Sequence, residues 1–99
     1  MSLSSPIEIT IELNSYDDKV LPDDDYLENL RVVLSNYFKD DEDFEKAFNL
    51  SRKEISTTLN SLNSTSDNKQ DSFINFDAVS KEGTIPVQVN FVNKVANSS

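Results

Sequence analysis

The segment from Ile7 to Leu13 alternates between apolar and polar side chains, and this alternation limits the fold more than any other feature of the chain. Its apolar positions are Ile7, Ile9, Ile11 and Leu13, and the positions between them are Glu8, Thr10 and Glu12. Successive side chains of a β-strand point to opposite faces, so the pattern predicts a strand with one buried face. Such a strand needs sheet partners and a layer that covers its apolar side.

The partner strands are predicted near the C-terminus, where residues 73–79 and 84–95 read as a β-hairpin around a turn at residues 80–83. The side chains expected to face the core are Ile74, Phe76, Ala78, Ile85, Val87, Val89 and Phe91. The side chains expected on the opposite face include Phe73, Asn75, Asp77, Val79 and Val92. Pro86 has no N–H to donate, which predicts an edge strand or a strand start at that position. Residues 14–21 read as a polar connection.

Three helices are predicted between these strands. The first begins after Pro22-Asp23 and runs to about Lys39, with leucines recurring at helical spacing. The second is short and is capped by the acidic run at residues 40–43. A turn at residues 48–50 ends it, and Ser51 opens the third helix through a capping box with Glu54.

The resulting expectation is a small α+β domain in the order strand, helix, helix, helix, strand, strand. A helical triplet packs on a small antiparallel sheet made from the first strand and the hairpin. With 99 residues the chain has the length of a single domain, 1–99. Residues 1–5 and 96–99 are expected to be flexible, and residues 63–71 to form a mobile loop.

The chain has no cysteine, no histidine and one glycine, and this composition excludes many functional classes. Thiolate and imidazole metal sites, disulfides, histidine-based triads and glycine-rich phosphate loops all need residues that are absent. The acidic runs lack the alternating spacing of a calcium loop. We therefore expect no enzyme activity, no metal and no cofactor. No apolar run suits a membrane span or an export signal, so a soluble, cytoplasmic protein is expected.

Acidic residues are concentrated in one half of the chain. Residues 1–45 hold 13 acidic and 3 basic residues, whereas residues 46–99 hold 5 and 6, within a net charge of -9. The acidic face predicted to bind a partner comprises Asp17, Asp18, Asp23, Asp24, Asp25, Glu28, Asp40, Asp41, Glu42 and Asp43. Because complementary fields speed association, we expect a basic protein partner, with an inhibitor or nucleic-acid mimic as a special case. The same acids also have a plain structural role as helix caps and solubilising groups.

Residues 43–59 resemble the helix-turn-helix unit of bacterial and phage regulators, and the hairpin that follows resembles the wing of winged-helix domains. The matching positions are Phe44, Phe48, Leu50, Ser51, Ile55 and Leu59. The resemblance implies an alternative function, a DNA-binding regulator that reads DNA through the helix starting at Ser51. Its contact residues would be Arg52, Lys53, Ser56, Thr57 and Asn60. The structural alternative is that these residues form a solvated helix face.

Two apolar residues of the hairpin fall on the face opposite the expected core. These are Phe73 and Val92. Exposed apolar side chains on a two-stranded ribbon favour a partner or a self-association edge. A homodimer through the hairpin edge is therefore a further expectation.

Overall fold

The computed structural model of the chain describes residues 6–16, 19–64 and 72–93. Their elements, in chain order, are β1 (Ile7–Tyr16), β2 (Lys19–Pro22), α1 (Tyr26–Ser35), α2 (Asp41–Asn63), β3 (Ser72–Ser80) and β4 (Gly83–Asn93). The predicted α+β class is confirmed, and the predicted layout of a leading strand, a helical middle and a C-terminal pair of strands is roughly consistent with the structure. The described residues differ from it in forming two helices rather than three and one additional strand, β2. The predicted flexible ends, 1–5 and 96–99, lie outside the described residues.

The four strands form one sheet in the order β2-β1-β4-β3. β1 and β4 are its central strands and run parallel, with Ile7 beside Val87 and Ile11 beside Phe91. β2 and β3 pair antiparallel with β1 and β4. The expected sheet of β1 and the hairpin is present, but the fully antiparallel arrangement is wrong. The return strand β4, with its unbroken set of large inward side chains, takes the central place beside β1.

The core lies between one face of the sheet and the two helices. Its buried side chains are Ile7, Ile9, Ile11, Leu13, Val20, Leu30, Leu34, Phe38, Ala47, Phe48, Ile55, Ala78, Val87, Val89 and Phe91. The alternation along β1, β3 and β4 therefore predicted the inner face correctly. Pro86 does not lie in an edge strand. It lies close to the start of β4, just before the pairing with β1 begins at Val87.

The polar connection predicted for residues 14–21 is wrong on both sides of residues 17 and 18, which lie outside the described residues: β1 continues to Tyr16, and Lys19–Pro22 forms the edge strand β2. The Asn63 side chain lies beside this strand: its Oδ1 accepts from the Val20 N–H at 2.7 Å, and its Nδ2 donates to the Val20 carbonyl at 3.1 Å. The Asn63 amide thus makes the two hydrogen bonds to Val20 that the backbone of a neighbouring strand would make. Asn63 is consequently the ordered last residue of α2 rather than the start of a mobile loop, whose residues 65–71 lie outside the described part of the chain.

The predicted turn at residues 48–50 and the separate third helix are wrong, because α2 is one helix of 23 residues. Ser51 is not a helix cap. It lies in the middle of α2 with 0% of its surface exposed, and its hydroxyl has no hydrogen-bond partner among the described residues. The side chains that α2 turns towards the core or half-buries follow one continuous helical stripe: Phe44, Phe48, Ser51, Ile55, Leu59 and Leu62. Burial of this stripe outweighs the weak local preference of Asn49 and Ser51 for a helix end.

Helix α1 is shorter than predicted at both ends. Pro22 belongs to β2, and the residue before the first turn is Asp25, whose side chain makes no capping hydrogen bond. At the other end α1 stops at Ser35, and Tyr37 is exposed while Phe38 is buried. The segment between the helices therefore contributes one aromatic ring to the core without continuing the helix.

Replacing Ser51 with alanine tests whether α2 is continuous, because a continuous helix and two separate helices predict opposite changes in the free energy of unfolding. Within a buried helix, Ser51→Ala removes an unsatisfied hydroxyl and adds a better helix former, so the free energy of unfolding should rise by about 1 kcal/mol. The measurement is urea unfolding followed by circular dichroism. If Ser51 capped a separate helix, the same change would lower stability by about 1 kcal/mol.

Candidate functional site

The acidic run at the start of α2 is partly a structural cap. Asp40 is the N-cap residue, and its carboxylate accepts from the backbone N–H groups of Glu42 at 3.1 Å and Asp43 at 3.2 Å. This confirms the predicted capping role of residues 40–43. Asp41 and Glu42 are exposed in the first turn, where acidic side chains complement the positive end of the helix dipole.

The same cap holds the turn of the β3–β4 hairpin. The Lys81 ammonium lies 3.2 Å from Asp40 and 3.6 Å from Glu42. The Lys81 backbone N–H donates to the Asp43 carboxylate at 3.2 Å, and Asp43 is only 7% exposed. We call Asp40, Glu42, Asp43 and Lys81 the hairpin clamp. Asp40 and Asp43, which were predicted to face a partner, are therefore already engaged within the chain.

The hairpin clamp changes the acidity of its charged groups. The hydrogen bond from the Asp43 backbone N–H, followed by the contact with Lys81, lowers the pKa of Asp40 below its ordinary value. The hydrogen bond to Asp40 in turn raises the pKa of Lys81. Both shifts favour the charged forms, as expected for an exposed ion pair supported by hydrogen bonds.

The second acidic run lies where β2 leads into α1. Asp24, Asp25 and Glu28 are exposed. Asp23 is half-buried: it accepts from the Asn14 side chain at 2.7 Å, and its backbone N–H donates to the Glu12 carbonyl at 3.1 Å. These bonds attach the run to β1 at Asn14, which pairs with Leu21 of β2, and at Glu12, which lies just before the paired residues.

A surface concavity of about 320 Å³ opens between this run and β1. It is lined by Thr10, Ile11, Glu12, Asp23, Asp25, Tyr26 and Asn29, and we call it the acidic concavity. Three of the lining residues are carboxylic acids and none is basic. Thr10, Glu12, Tyr26 and Asn29 were not predicted as site residues. Glu12 was recognisable as an outward residue of a strand, but its nearness to the start of α1 depends on the tertiary fold.

The two acidic runs do not form one cluster. Asp23 and Asp25 line the acidic concavity, whereas Asp40 and Asp43 line a separate concavity beside the hairpin turn. Asp17 and Asp18, also predicted for the acidic face, lie outside the described residues. The acidic concavity is therefore the place where predicted partner-binding residues meet in an open arrangement.

The five residues of the DNA-binding alternative lie along α2. Arg52, Lys53, Ser56, Thr57 and Asn60 are all exposed. The Arg52 guanidinium lies 5.8 Å from the centre of the Phe48 ring, and that of Arg31 lies 4.5 Å from the same ring. These cation–π contacts bring an arginine of α1 and an arginine of α2 to the same aromatic ring. The sequence did not single out Arg31, since its position next to Phe48 arises only when the helices pack.

The outer face of the sheet bears the exposed apolar residues of the hairpin. Phe73 is 59% exposed and Val79 is 63% exposed, both on β3. Val92 lies on β4 beside Glu12 of β1 and is half-buried. The prediction that Phe73 faces away from the core is confirmed. Val79 completes an apolar pair at the two ends of the edge strand.

No group of three or more acidic, histidine or cysteine side chains in the described residues is arranged to hold a metal ion. Neither α1 nor α2 combines the length and the apolar character that crossing a bilayer requires. No protein-family model, curated protein or solved structure matches this chain. The function must therefore be inferred from the geometry and chemistry of the chain itself.

The hairpin clamp predicts a graded response to substitution of Asp43. Asp43→Ala leaves the Lys81 backbone N–H without its acceptor at a half-buried position, which should lower the free energy of unfolding by about 1 to 3 kcal/mol. Asp43→Asn keeps an acceptor oxygen and should lower it by less. Urea unfolding at neutral pH measures both variants. Equal losses would contradict the assigned hydrogen bond.

The lowered pKa of Asp40 predicts a pH dependence of stability. Folding favours the charged form of Asp40, and this adds to the free energy of unfolding at every pH above the ordinary pKa of 3.8. The added stability is lost as the pH falls through the lowered pKa of the folded state. Wild type should therefore exceed Asp40→Asn in stability at pH 7, and the difference should shrink below about pH 4. Thermal unfolding from pH 7 to pH 2 checks this. A difference that stays constant with pH would contradict the electrostatic role.

Proposed function

We propose that this chain is a non-catalytic interaction protein that captures a basic partner through the acidic concavity. The observation that carries the proposal is the placement of Glu12, Asp23 and Asp25 around one open concavity with no basic residue in its lining. An arginine or lysine side chain of a partner fits this arrangement. Carboxylates accept charge-assisted hydrogen bonds from guanidinium and ammonium groups, which are about twice as strong as neutral ones.

The rest of the lining supplies groups that suit a long cationic side chain. Tyr26 and Asn29 stand on the first turn of α1, and Thr10 stands on β1. The aliphatic part of lysine or arginine packs on such surfaces while its charged head meets the carboxylates. Thr10 and Glu12 are carried by a strand and Tyr26 and Asn29 by a helix, while Asp23 lies in the connection and is held to β1 by its bonds with Asn14 and Glu12. These attachments limit the rearrangement that the site needs when the partner binds.

The net charge of the chain supports capture at a distance. With 18 acidic against 9 basic residues, the field of the protein attracts cationic surfaces and repels nucleic acid. Steering of this kind raises association rates and disfavours wrong partners. Inhibition of a nucleic-acid-binding protein by phosphate mimicry would be a special case of the same proposal, with the carboxylates standing in the place of phosphates.

DNA binding is the second candidate, and the observation in its favour is the exposed stripe along α2 formed by Arg52, Lys53, Ser56, Thr57 and Asn60. The groups suit phosphate and base contacts. Its weakness is that α2 runs unbroken through residues 48–50, so no short recognition helix projects from the described part of the chain. Arg52 is also drawn towards the Phe48 ring.

A basic peptide provides a direct test of the leading proposal. A fluorescein-labelled nona-arginine peptide should bind wild type at low salt, as measured by fluorescence anisotropy. Neutralising the three carboxylates of the acidic concavity, Glu12, Asp23 and Asp25, to Gln, Asn and Asn should weaken binding on the order of tenfold, since each lost contact with a charged group is worth about 0.5 kcal/mol or more. The Asp25 side chain makes no capping bond, so α1 should remain intact.

The control is a second triple variant with the same change in net charge, Asp41→Asn, Glu45→Gln and Glu82→Gln, all at exposed positions away from the concavity. It should weaken binding only slightly. If both triple variants weakened peptide binding equally, binding would depend on net charge alone, and the proposed site would be contradicted. A labelled mixed-sequence DNA duplex is run in parallel: binding that is lost in an Arg52→Ala, Lys53→Ala variant would instead support the DNA-binding candidate.

A further inference from the structure

The two edges of the sheet differ in how they are closed. At the β2 edge, the Asn63 amide bonds both backbone groups of Val20. At the other edge, β3 has β4 on one side and no neighbour among the described residues on the other. Proteins commonly protect such an edge with lysine, proline, a bulge or a short strand. β3 is nine residues long, pairs regularly with β4 and contains no lysine, proline or bulge, and Asp77 is its one charged side chain.

Pro86 determines which backbone groups of β3 point towards the open edge. It lies opposite Asp77 and has no N–H, so this pair cannot be a hydrogen-bonded pair of the antiparallel ladder. Hydrogen-bonded and non-hydrogen-bonded pairs alternate along the ladder. The residues of β3 whose N–H and C=O groups point away from β4 are therefore Phe73, Asn75, Asp77 and Val79.

We propose that β3 is a homodimer interface, at which two copies of this chain pair antiparallel and extend one sheet across both. A twofold axis perpendicular to the sheet, midway between Phe76 of one copy and Phe76 of the other, sets each outward-pointing residue of one strand opposite an outward-pointing residue of the second copy. Phe73 then lies opposite Val79 of the second copy, so the two most exposed apolar side chains of the hairpin cover each other.

Charge complementarity favours this register over its neighbours. Asp77 is the one charged residue of β3, and the twofold axis sets it opposite Asn75, whose amide can donate to the carboxylate. A register shifted to centre on Asp77 places two carboxylates directly opposite each other. A register centred on Asn75 places Phe73 opposite Asp77. The register centred on Phe76 is thus the one that pairs apolar with apolar and acid with amide.

The acidic residues outside β3 are placed so that a second copy can approach this edge. The acidic concavity lies beside β1 and the start of α1, two strands away from β3 in the sheet order. In an antiparallel pair the two hairpin turns point in opposite directions, so the acidic starts of the two α2 helices are kept apart. Repulsion between the copies is therefore weaker at the β3 edge than it would be at the acidic concavity, and salt reduces it further.

Sedimentation equilibrium at about 150 mM salt over a range of concentrations tests the proposal. Wild type should show a monomer–dimer equilibrium. Val79→Lys should raise the dimer dissociation constant on the order of tenfold or more, because twofold symmetry removes the contact twice. Val32→Lys is the matched control, since Val32 is 56% exposed on α1, and it should leave the equilibrium unchanged. Asn75→Pro should also give monomer, because the N–H that it removes points to the open edge rather than to β4.

The register is tested by a reciprocal charge pair. Phe73→Lys alone should weaken the dimer, and Phe73→Lys combined with Val79→Glu should restore it. The reason is that the introduced ammonium at position 73 faces the introduced carboxylate at position 79 of the second copy only in the register centred on Phe76. Circular dichroism confirms that each variant is folded. A wild type that stays monomeric at millimolar concentration overturns the proposal. Equal loss in Val32→Lys, or a dimer that persists in both Val79→Lys and Asn75→Pro, overturns it as well.

Discussion

The parallel pairing of β1 with β4 is the interaction on which the rest of this structure depends. It joins the first described strand to the last, with β2, both helices and β3 between them in the chain. Parallel neighbours cannot be joined by a tight turn, so the intervening chain must cross from one end of the sheet to the other. The register places Ile7, Ile9 and Ile11 beside Val87, Val89 and Phe91, and this apolar centre is what the helices cover.

Helix α2 fastens the sheet at both of its edges through polar contacts at its two ends. Its N-terminal end holds the hairpin turn through Asp40, Asp43 and Lys81. Its C-terminal end holds β2 through Asn63 and Val20. A helix of 23 residues is about 35 Å long, more than enough to cross a sheet of four strands spaced about 4.8 Å apart. A break at residues 48–50 would leave these two attachments on separate helices. The attachments therefore favour one continuous helix over the local preference of Asn49 for a helix end.

The buried faces of the strands and the N-cap of α2 could be predicted from local sequence patterns. The direction of strand pairing and the packing of α2 on the sheet depend on contacts between distant residues and could not. The inner faces of β1, β3 and β4 followed from period-two patterns, and the Asp40 cap followed from its position before a helical stripe. The parallel direction of β1 and β4 was not predictable, since alternation is identical in both directions. Likewise, Ser51 has the local signature of a cap, and only the packing of α2 on the sheet shows it to be buried. Among the residues that line the acidic concavity, Asp23 and Asp25 were predicted from the sequence. Thr10, Glu12 and Asn29 lie next to them only in the folded structure.

The most direct test of this account is the direction of β1 against β4, measured by backbone nuclear Overhauser effects in a uniformly 15N- and 13C-labelled sample. We expect cross-strand contacts that link Ile7 with Val87, Ile9 with Val89 and Ile11 with Phe91, with both residue numbers rising together. Contacts in which one number rises while the other falls, with Ile7 near Phe91 and Ile11 near Val87, would show an antiparallel pair. That result would contradict the crossover, the position of α2 and the sites built on them.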